Sequence, residues 1–198
     1  MLERGLFSGF LLGMHKAIFL DRDGTLNTDS KNYIKSLDEF VLFPYTIPAL
    51  KIFQDLGYKI VIITNQACVG KGLTTRAKVE EIHEYLLSEA KNQGINIAGI
   101  YYCPHRSEDN CTCRKPQLQN VLLAANEHGI DLARSYFIGD SPRDIETGNR
   151  AGCRTIFIRS GVRRYSAAQK KAWAMQPDYE TANVLTAAQL LDRIEKKE

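Results

Sequence analysis

Two carboxylates one residue apart, Asp21 and Asp23, close the apolar, β-prone run Ala17-Ile18-Phe19-Leu20 and are followed at once by Gly24 and Thr25. The stretch reads as a strand ending in a tight turn, and in an open α/β sheet ligands bind beyond the carboxyl ends of the strands. An acidic pair alone is most often a solvated turn; the buried-looking strand before it sets this one apart. Two further strand-like runs also end in polar clusters. Tyr58 to Ile63 delivers Thr64-Asn65-Gln66, and Tyr136 to Ile138 delivers Gly139-Asp140-Ser141-Pro142-Arg143-Asp144. Carboxylates collected from distant segments repel unless a cation joins them, and hard oxygen ligands with room for water and phosphate point to Mg2+.

A second chemical stretch is Cys103-Pro104-His105, five residues, then Cys111-Thr112-Cys113. Three thiols and an imidazole at this spacing can close a tetrahedral zinc site. The alternatives are a disulfide, which a reducing compartment disfavours, and a set of packed thiols, which the polar residues 106–110 disfavour. With four protein ligands the zinc would staple the loop and do no chemistry. Arg114-Lys115 follow directly, so the loop can aim two cations at phosphate oxygens, Arg as a planar fork and Lys as a point charge.

The elements that must position these groups alternate in type. Thr46 to Leu56 has helical spacing and is closed by Gly57; Thr74 or Thr75 caps a helix with Val79, Ile82, Leu86 and Ala90 on one face; Ile97 to Tyr102 is a strand. A helix from Leu118 ends at Gly129, Arg154 to Ile158 is a fifth strand, and Thr186 to Ile194 is a last helix. Alternation of this kind predicts an α/β fold with a parallel sheet covered on both faces. His83 is expected at the surface or boundary of its helix, and Cys68 as a small packed thiol. The basic segment 162–176, with Arg163, Arg164, Lys170, Lys171 and Trp173, reads as a solvated loop or helix, or as a contact for a partner. Gly70-Lys71-Gly72 lacks P-loop spacing and is a flexible loop.

At 198 residues the chain can bury one sizeable core, and 26 basic against 23 acidic residues suits a small anionic substrate without implying nucleic acid. Five cysteines, an odd number bunched mostly in one loop, point to a reducing, cytoplasmic setting rather than a secreted framework. The apolar patch Leu6 to Gly13 is too short to span a membrane. Residues 1–13 are therefore expected to be a disordered or non-native extension, and residues 14–198 a single domain with the zinc loop at 103–113.

The ordered set Asp21-Arg22-Asp23-Gly24-Thr25, Thr64-Asn65, Lys115 and Gly139-Asp140-x-x-x-Asp144 resembles the four motifs of the haloacid dehalogenase superfamily of phosphohydrolases. Within it, Asp21 to Asn27, Thr64 to Gln66 and the Cys-x-His…Cys-x-Cys-Arg-Lys-Pro run look like the heptose 1,7-bisphosphate phosphatases and the related histidinol-phosphate phosphatase domains. Ala67-Cys68 departs from the Ser-Gly usual there. The resemblance implies a three-layer α/β/α Rossmann-like core without a large cap domain and with an open site rimmed by residues 27–43 and 103–113. It implies Asp21 as nucleophile, Asp23 as general acid and base, and Thr64 and Lys115 on the phosphoryl group. Mg2+ would be held by Asp21, the Asp23 carbonyl and Asp140, with Asp144 supporting, and structural Zn2+ by Cys103, His105, Cys111 and Cys113. Asp29, Ser30, Lys31, Asn32, Asn65, Gln66 and Arg114 would contact the rest of a small phosphorylated sugar, from which a heptose bisphosphate would lose its 7-phosphate. A monomer is expected, with neither membrane nor nucleic acid as partner. The competing readings are a histidinol-phosphate phosphatase, a nucleic-acid 3′-phosphatase, and a zinc-containing binding module with no catalysis.

Overall fold

A computed structural model of the protein describes residues 14–197; the expectation for residues 1–13 falls outside them. In chain order the elements are β1 (Ala17–Leu20), α1 (Thr46–Asp55), β2 (Lys59–Asn65), the single turn α2 (Ala67–Gly70), α3 (Arg76–Asn92), β3 (Ile97–Cys103), α4 (Gln119–His128), β4 (Tyr136–Gly139), α5 (Pro142–Ala151), β5 (Arg154–Ile158), α6 (Ala167–Lys171), β6 (Tyr179–Thr181) and α7 (Val184–Glu195). The six strands form one sheet in the order β3-β2-β1-β4-β5-β6, and every pairing is parallel.

Period-two alternation along buried strands sorts the core into two layers. Ile18, Leu20, Ile60, Ile62, Ile138 and Ile156 face α1, α3 and α7, whose Leu50, Phe53, Ile82, Leu86 and Leu191 are buried with them. Ala17, Phe19, Val61, Ile63 and Phe137 face the other way, onto Val121 and Ala124 of α4. Each buried Ile, Phe or Leu contributes roughly 1.5–3 kcal/mol, so the interleaved strands supply most of the driving force. Helix ends follow local chemistry. The Thr75 hydroxyl accepts from Lys78 N–H at 3.3 Å to start α3, and Gly57 and Gly129 take φ of 79° and 59° where α1 and α4 stop.

Several expectations are corrected. The sheet has a sixth strand, β6, three residues long and paired to β5 through Ile156 and Tyr179; so short a segment has no periodicity to read. The last helix starts at Val184 because Asn183 caps it, accepting from Thr186 N–H at 3.0 Å. His83 is not a surface residue: it is 6% exposed, its ring edge-on to Tyr102 at 5.2 Å. Segment 162–176 is largely exposed and carries the short helix α6, as expected, while Trp173 packs against Phe157 (4.9 Å) and Tyr165 (5.1 Å) beside β5. Cys68 is fully buried, as expected. Among the described residues, no helix is long and apolar enough to cross a membrane.

Candidate active site

Strand β1 sits between β2 and β4, and successive strands run outward from it on both sides. That makes the β1/β4 boundary the topological switch point, where a crevice opens beyond the strand ends. Asp21, Thr64, Asn65 and Asp140 all lie at those ends and line one cavity of about 590 Å3.

Lys115 is the hub. It is 3% exposed, and its Nζ lies 2.9 Å from Asp21 Oδ1 and 2.7 Å from Asp144 Oδ1 while donating to the Ile63 carbonyl at 2.7 Å. Its main chain is fixed by Asn65: Lys115 N–H donates to Asn65 Oδ1 at 3.0 Å, and Asn65 Nδ2 donates back to the Lys115 carbonyl at 3.2 Å. Asp144 also closes the first turn of α5, accepting from the Ser141 N–H (3.0 Å) and hydroxyl (2.6 Å). Asp140 is packed so tightly that a Cβ on Gly161 would fall 1.7 Å from its Oδ2, and one on Gly24 2.6 Å. Gly24 in addition has φ of 80°, so only glycine suits that turn.

Asp23 has the richest hydrogen bonding. Its Oδ1 accepts from Arg22 Nε (2.9 Å) and Asn27 Nδ2 (2.9 Å), and its Oδ2 from Arg22 Nη2 (3.0 Å) and Gln66 Nε2 (2.8 Å). Four donors converging on one carboxylate fix its position in the site.

The electrostatics are those of crowded acids. Burial, with Asp144 and Asp23 adding to it and Lys115 opposing it, pushes Asp21 up to about 7. Burial and the charges of Asp21 and Asp144 raise Asp140 well above the usual carboxylate range. Burial alone would lower Lys115, yet Asp144 and Asp21 outweigh it and the ammonium is held more firmly than usual. Asp21, Asp140 and Asp144 offer oxygens that all lie within 4.8 Å of one another. One lysine for three carboxylates leaves a site that a hard divalent cation would relieve, and an all-oxygen donor set fits Mg2+.

The cysteine loop meets the demands of zinc in the same way. Cys103 Sγ is 3.5 Å from Cys111 Sγ and 3.7 Å from His105 Nδ1; Cys113 Sγ is 3.6 Å from Cys111 Sγ and 3.3 Å from His105 Nδ1. A tetrahedron of Zn–S bonds has edges of roughly 3.8 Å, so the four atoms sit near the corners that such an ion requires. The sulfur separations are far beyond a disulfide, and all five cysteines, Cys68, Cys103, Cys111, Cys113 and Cys153, are free.

Of the residues expected to touch substrate, Asp29, Ser30, Lys31, Asn65 and Arg114 line the cavity. Asn32 and Gln66 do not; Gln66 is 1% exposed and spends its amide on Asp23 and on Thr64 at 3.0 Å. The sequence reading missed Arg143, Arg163 and Tyr165, which also line it. With Lys31 and Arg114, the two new arginines give the cavity a cationic rim around an acidic floor. Arg163 follows the Ser160-Gly161 end of β5, so the strand-end rule that found the other clusters could have found it too. The Val162 and Ser30 N–H groups bond the Asp29 carboxylate, joining the loops on either side of the mouth.

A parallel α/β sheet with clustered carboxylates and a buried lysine in the crevice at its switch point is the arrangement of a hydrolase of the haloacid dehalogenase type. Residues 112–188 match the HAD-hydrolase-like family. A D-glycero-beta-D-manno-heptose-1,7-bisphosphate 7-phosphatase of Helicobacter pylori J99 is 42% identical over 142 residues, 71% of this chain and 81% of that protein. The crystal structure of D,D-heptose 1,7-bisphosphate phosphatase from B. bronchiseptica, complexed with magnesium and phosphate, superposes with a TM-score of 0.82 at 30% identity, covering 90% of this chain and 99% of that one. The histidine biosynthesis bifunctional protein HisB of Blochmanniella floridana is 37% identical over 143 residues, but the match spans only 40% of it. The chain belongs to the HAD phosphatase family of these relatives and is a phosphomonoester hydrolase, which removes the reading as a non-catalytic zinc module.

Proposed function

We propose that the substrate is D-glycero-D-manno-heptose 1,7-bisphosphate and that the enzyme removes its 7-phosphate, as a step towards a nucleotide-activated heptose for surface glycans. The observation that carries this reading is the division of the cavity into an acidic floor, Asp21 with Asp140 and Asp144, and a rim bearing Lys31, Arg114, Arg143 and Arg163. A sugar with phosphate at both ends suits it: one phosphate enters the floor and the other stays among the rim cations. Histidinol phosphate carries an ammonium group at its far end, which the same rim repels. A balanced net charge of +3 gives no reason to prefer a nucleic-acid end.

In this mechanism an Asp21 carboxylate oxygen attacks phosphorus, forming the new P–O bond as the bond to the sugar O7 breaks, and Asp23 delivers the proton that O7 needs to leave. Asp23 then takes a proton from water, the water oxygen displaces Asp21 from phosphorus, and phosphate departs. Lys115 and Thr64 hold the phosphoryl oxygens, and Lys115 keeps Asp21 ionised against the burial that raises its pKa. Asp21, the Asp23 carbonyl and Asp140 would hold Mg2+, which when bound neutralises charge gathered on the phosphoryl group. Cys103, His105, Cys111 and Cys113 would hold Zn2+ and fix the loop leading into Lys115. The enzyme works as a monomer in a reducing, cytoplasmic setting that keeps these thiols free.

Phosphate release from both anomers of the bisphosphate, the 7-monophosphate and histidinol phosphate tests the reading. The bisphosphate should have the highest kcat/KM, and Asp21→Asn should abolish release while melting cooperatively. A kcat/KM for histidinol phosphate above that for either anomer would overturn the substrate assignment.

A further inference from the structure

We propose that His83 is a positioning residue, which through Arg22 holds the Asp23 carboxylate where proton transfer needs it; the role rests on the acid–base assignment of Asp23 above. His83 lies in none of the strand-end motifs and arrives from α3, 61 residues beyond Arg22. Arg22 is fully buried, and a buried guanidinium must find acceptors for its N–H groups. Nε and Nη2 bond the two oxygens of Asp23, at 2.9 and 3.0 Å. Nη1 lies 3.1 Å from His83 Nε2. Guanidinium can only donate, so His83 Nε2 must accept, and the ring is therefore neutral with its proton on Nδ1. The environment agrees with that form: burial first, then the charge of Arg22, pushes His83 down to about 3. The third side of the guanidinium is the Phe40 ring, 5.7 Å from Cζ.

The consequence for Asp23 is geometric. Two of its four hydrogen bonds come from one rigid fork, and the orientation of that fork is set by where Nη1 is anchored. Without His83 the Nη1 group is orphaned in a site closed to water, and the guanidinium satisfies it by tilting towards another acceptor. The two bonds to Asp23 tilt with it. Displacements of about 1 Å at a reacting group cost up to roughly a hundredfold in rate.

Kinetics and NMR on the magnesium- and zinc-loaded enzyme test this. His83→Leu should lower kcat by roughly tenfold or more with KM within about twofold, because the bond lost acts on proton transfer and not on substrate binding. His83→Gln, whose amide oxygen can accept from Nη1, should recover kcat to within about threefold of wild type. In the wild type at about pH 5.5, the 15N spectrum should show His83 as the neutral ring with unprotonated Nε2. An unimpaired His83→Leu, a His83→Gln as slow as His83→Leu with both melting near wild type, or an imidazolium signal would each overturn the proposal. If the wild type itself released no phosphate, the phosphatase assignment of the site would fall, whereas wild-type turnover with an unaffected His83→Leu removes only the role of His83.

Discussion

Asn65 and Lys115 exchange two hydrogen bonds between the side chain of one and the main chain of the other, at 3.0 and 3.2 Å. Asn65, at the end of β2, thus acts on the Lys115 backbone as a neighbouring strand would. Together with the cysteine loop before it, this pins the lysine from both directions. Asn65→Ala should cost about 1–2 kcal/mol of stability in urea denaturation. It should also lower kcat more than it raises KM, since Asn65 positions Lys115 besides lining the cavity.

Asp140 offers a test of the metal that leaves the cysteine loop alone. Its pKa is raised in the fold, so its ionised form costs stability as pH rises above the ordinary carboxylate value. Asp140→Asn should therefore melt above wild type at neutral pH when Mg2+ is omitted. Added Mg2+ should stabilise wild type, by about 2.7 kcal/mol at a hundred times Kd, and leave the variant unmoved. A wild type whose Tm ignores Mg2+ would contradict the assignment.

Cys113→Ser removes one corner of the four-ligand cluster from a partly exposed position. Zinc content by elemental analysis should fall below about half an equivalent, because three remaining ligands hold a structural ion poorly. Limited proteolysis should then cut within residues 106–110 while the core fragment stays folded, and turnover should drop as Lys115 loses its support.

Arg163 lies on the rim and, among the described residues, forms no salt bridge with a carboxylate. Arg163→Ala should raise KM for the bisphosphate by about tenfold, a charge-assisted contact being worth roughly 1.5 kcal/mol or more, and leave the 7-monophosphate nearly unchanged. Equal effects on the two substrates would mean that the arginine serves the loop and not the second phosphate.

His83 gives a pH signature in stability. Its folded pKa of about 3 lies below the ordinary 6.5, so the unfolded chain takes up the proton first. The stability it supports is complete above pH 6.5 and drains away as pH falls towards 3. Between pH 7 and pH 5 this amounts to about 2 kcal/mol. Urea denaturation of wild type and His83→Gln at those two pH values should show the wild type losing that much more than the variant.

The site was legible where function is written as residue types at strand ends. Asp21, Asp23, Thr64 and Asp140 line one cavity because an apolar run followed by polar residues marks the carboxyl edge of a parallel strand; Lys115 joins them from the loop after the separate cluster of Cys103, His105, Cys111 and Cys113. What escaped depends on tertiary partners. Gln66 looks like a substrate contact until Asp23 and Thr64 are seen to occupy its amide. His83 looks like a surface or boundary histidine because it is a lone polar side chain, yet its spacing from Val79 and Leu86 puts it on the buried face of α3, where it meets the buried Arg22. Tyr165 lies in a stretch with no period, where the anchor is the aromatic cluster of Phe157 and Trp173.

The central place of β1 has a consequence for how the protein comes into being. Of the described strands it is the first to be made, yet its neighbours are Lys59–Asn65 on one side and Tyr136–Gly139 on the other. The most buried strand therefore waits, one edge unpaired, until some 120 further residues have been made, as expected of a topology rich in non-local pairings. Because β4 also carries Asp140 to the crevice, the pairing that finally shelters β1 is the same event that completes the catalytic edge. Activity should appear late in refolding and all at once, together with burial of Phe19 against Phe137.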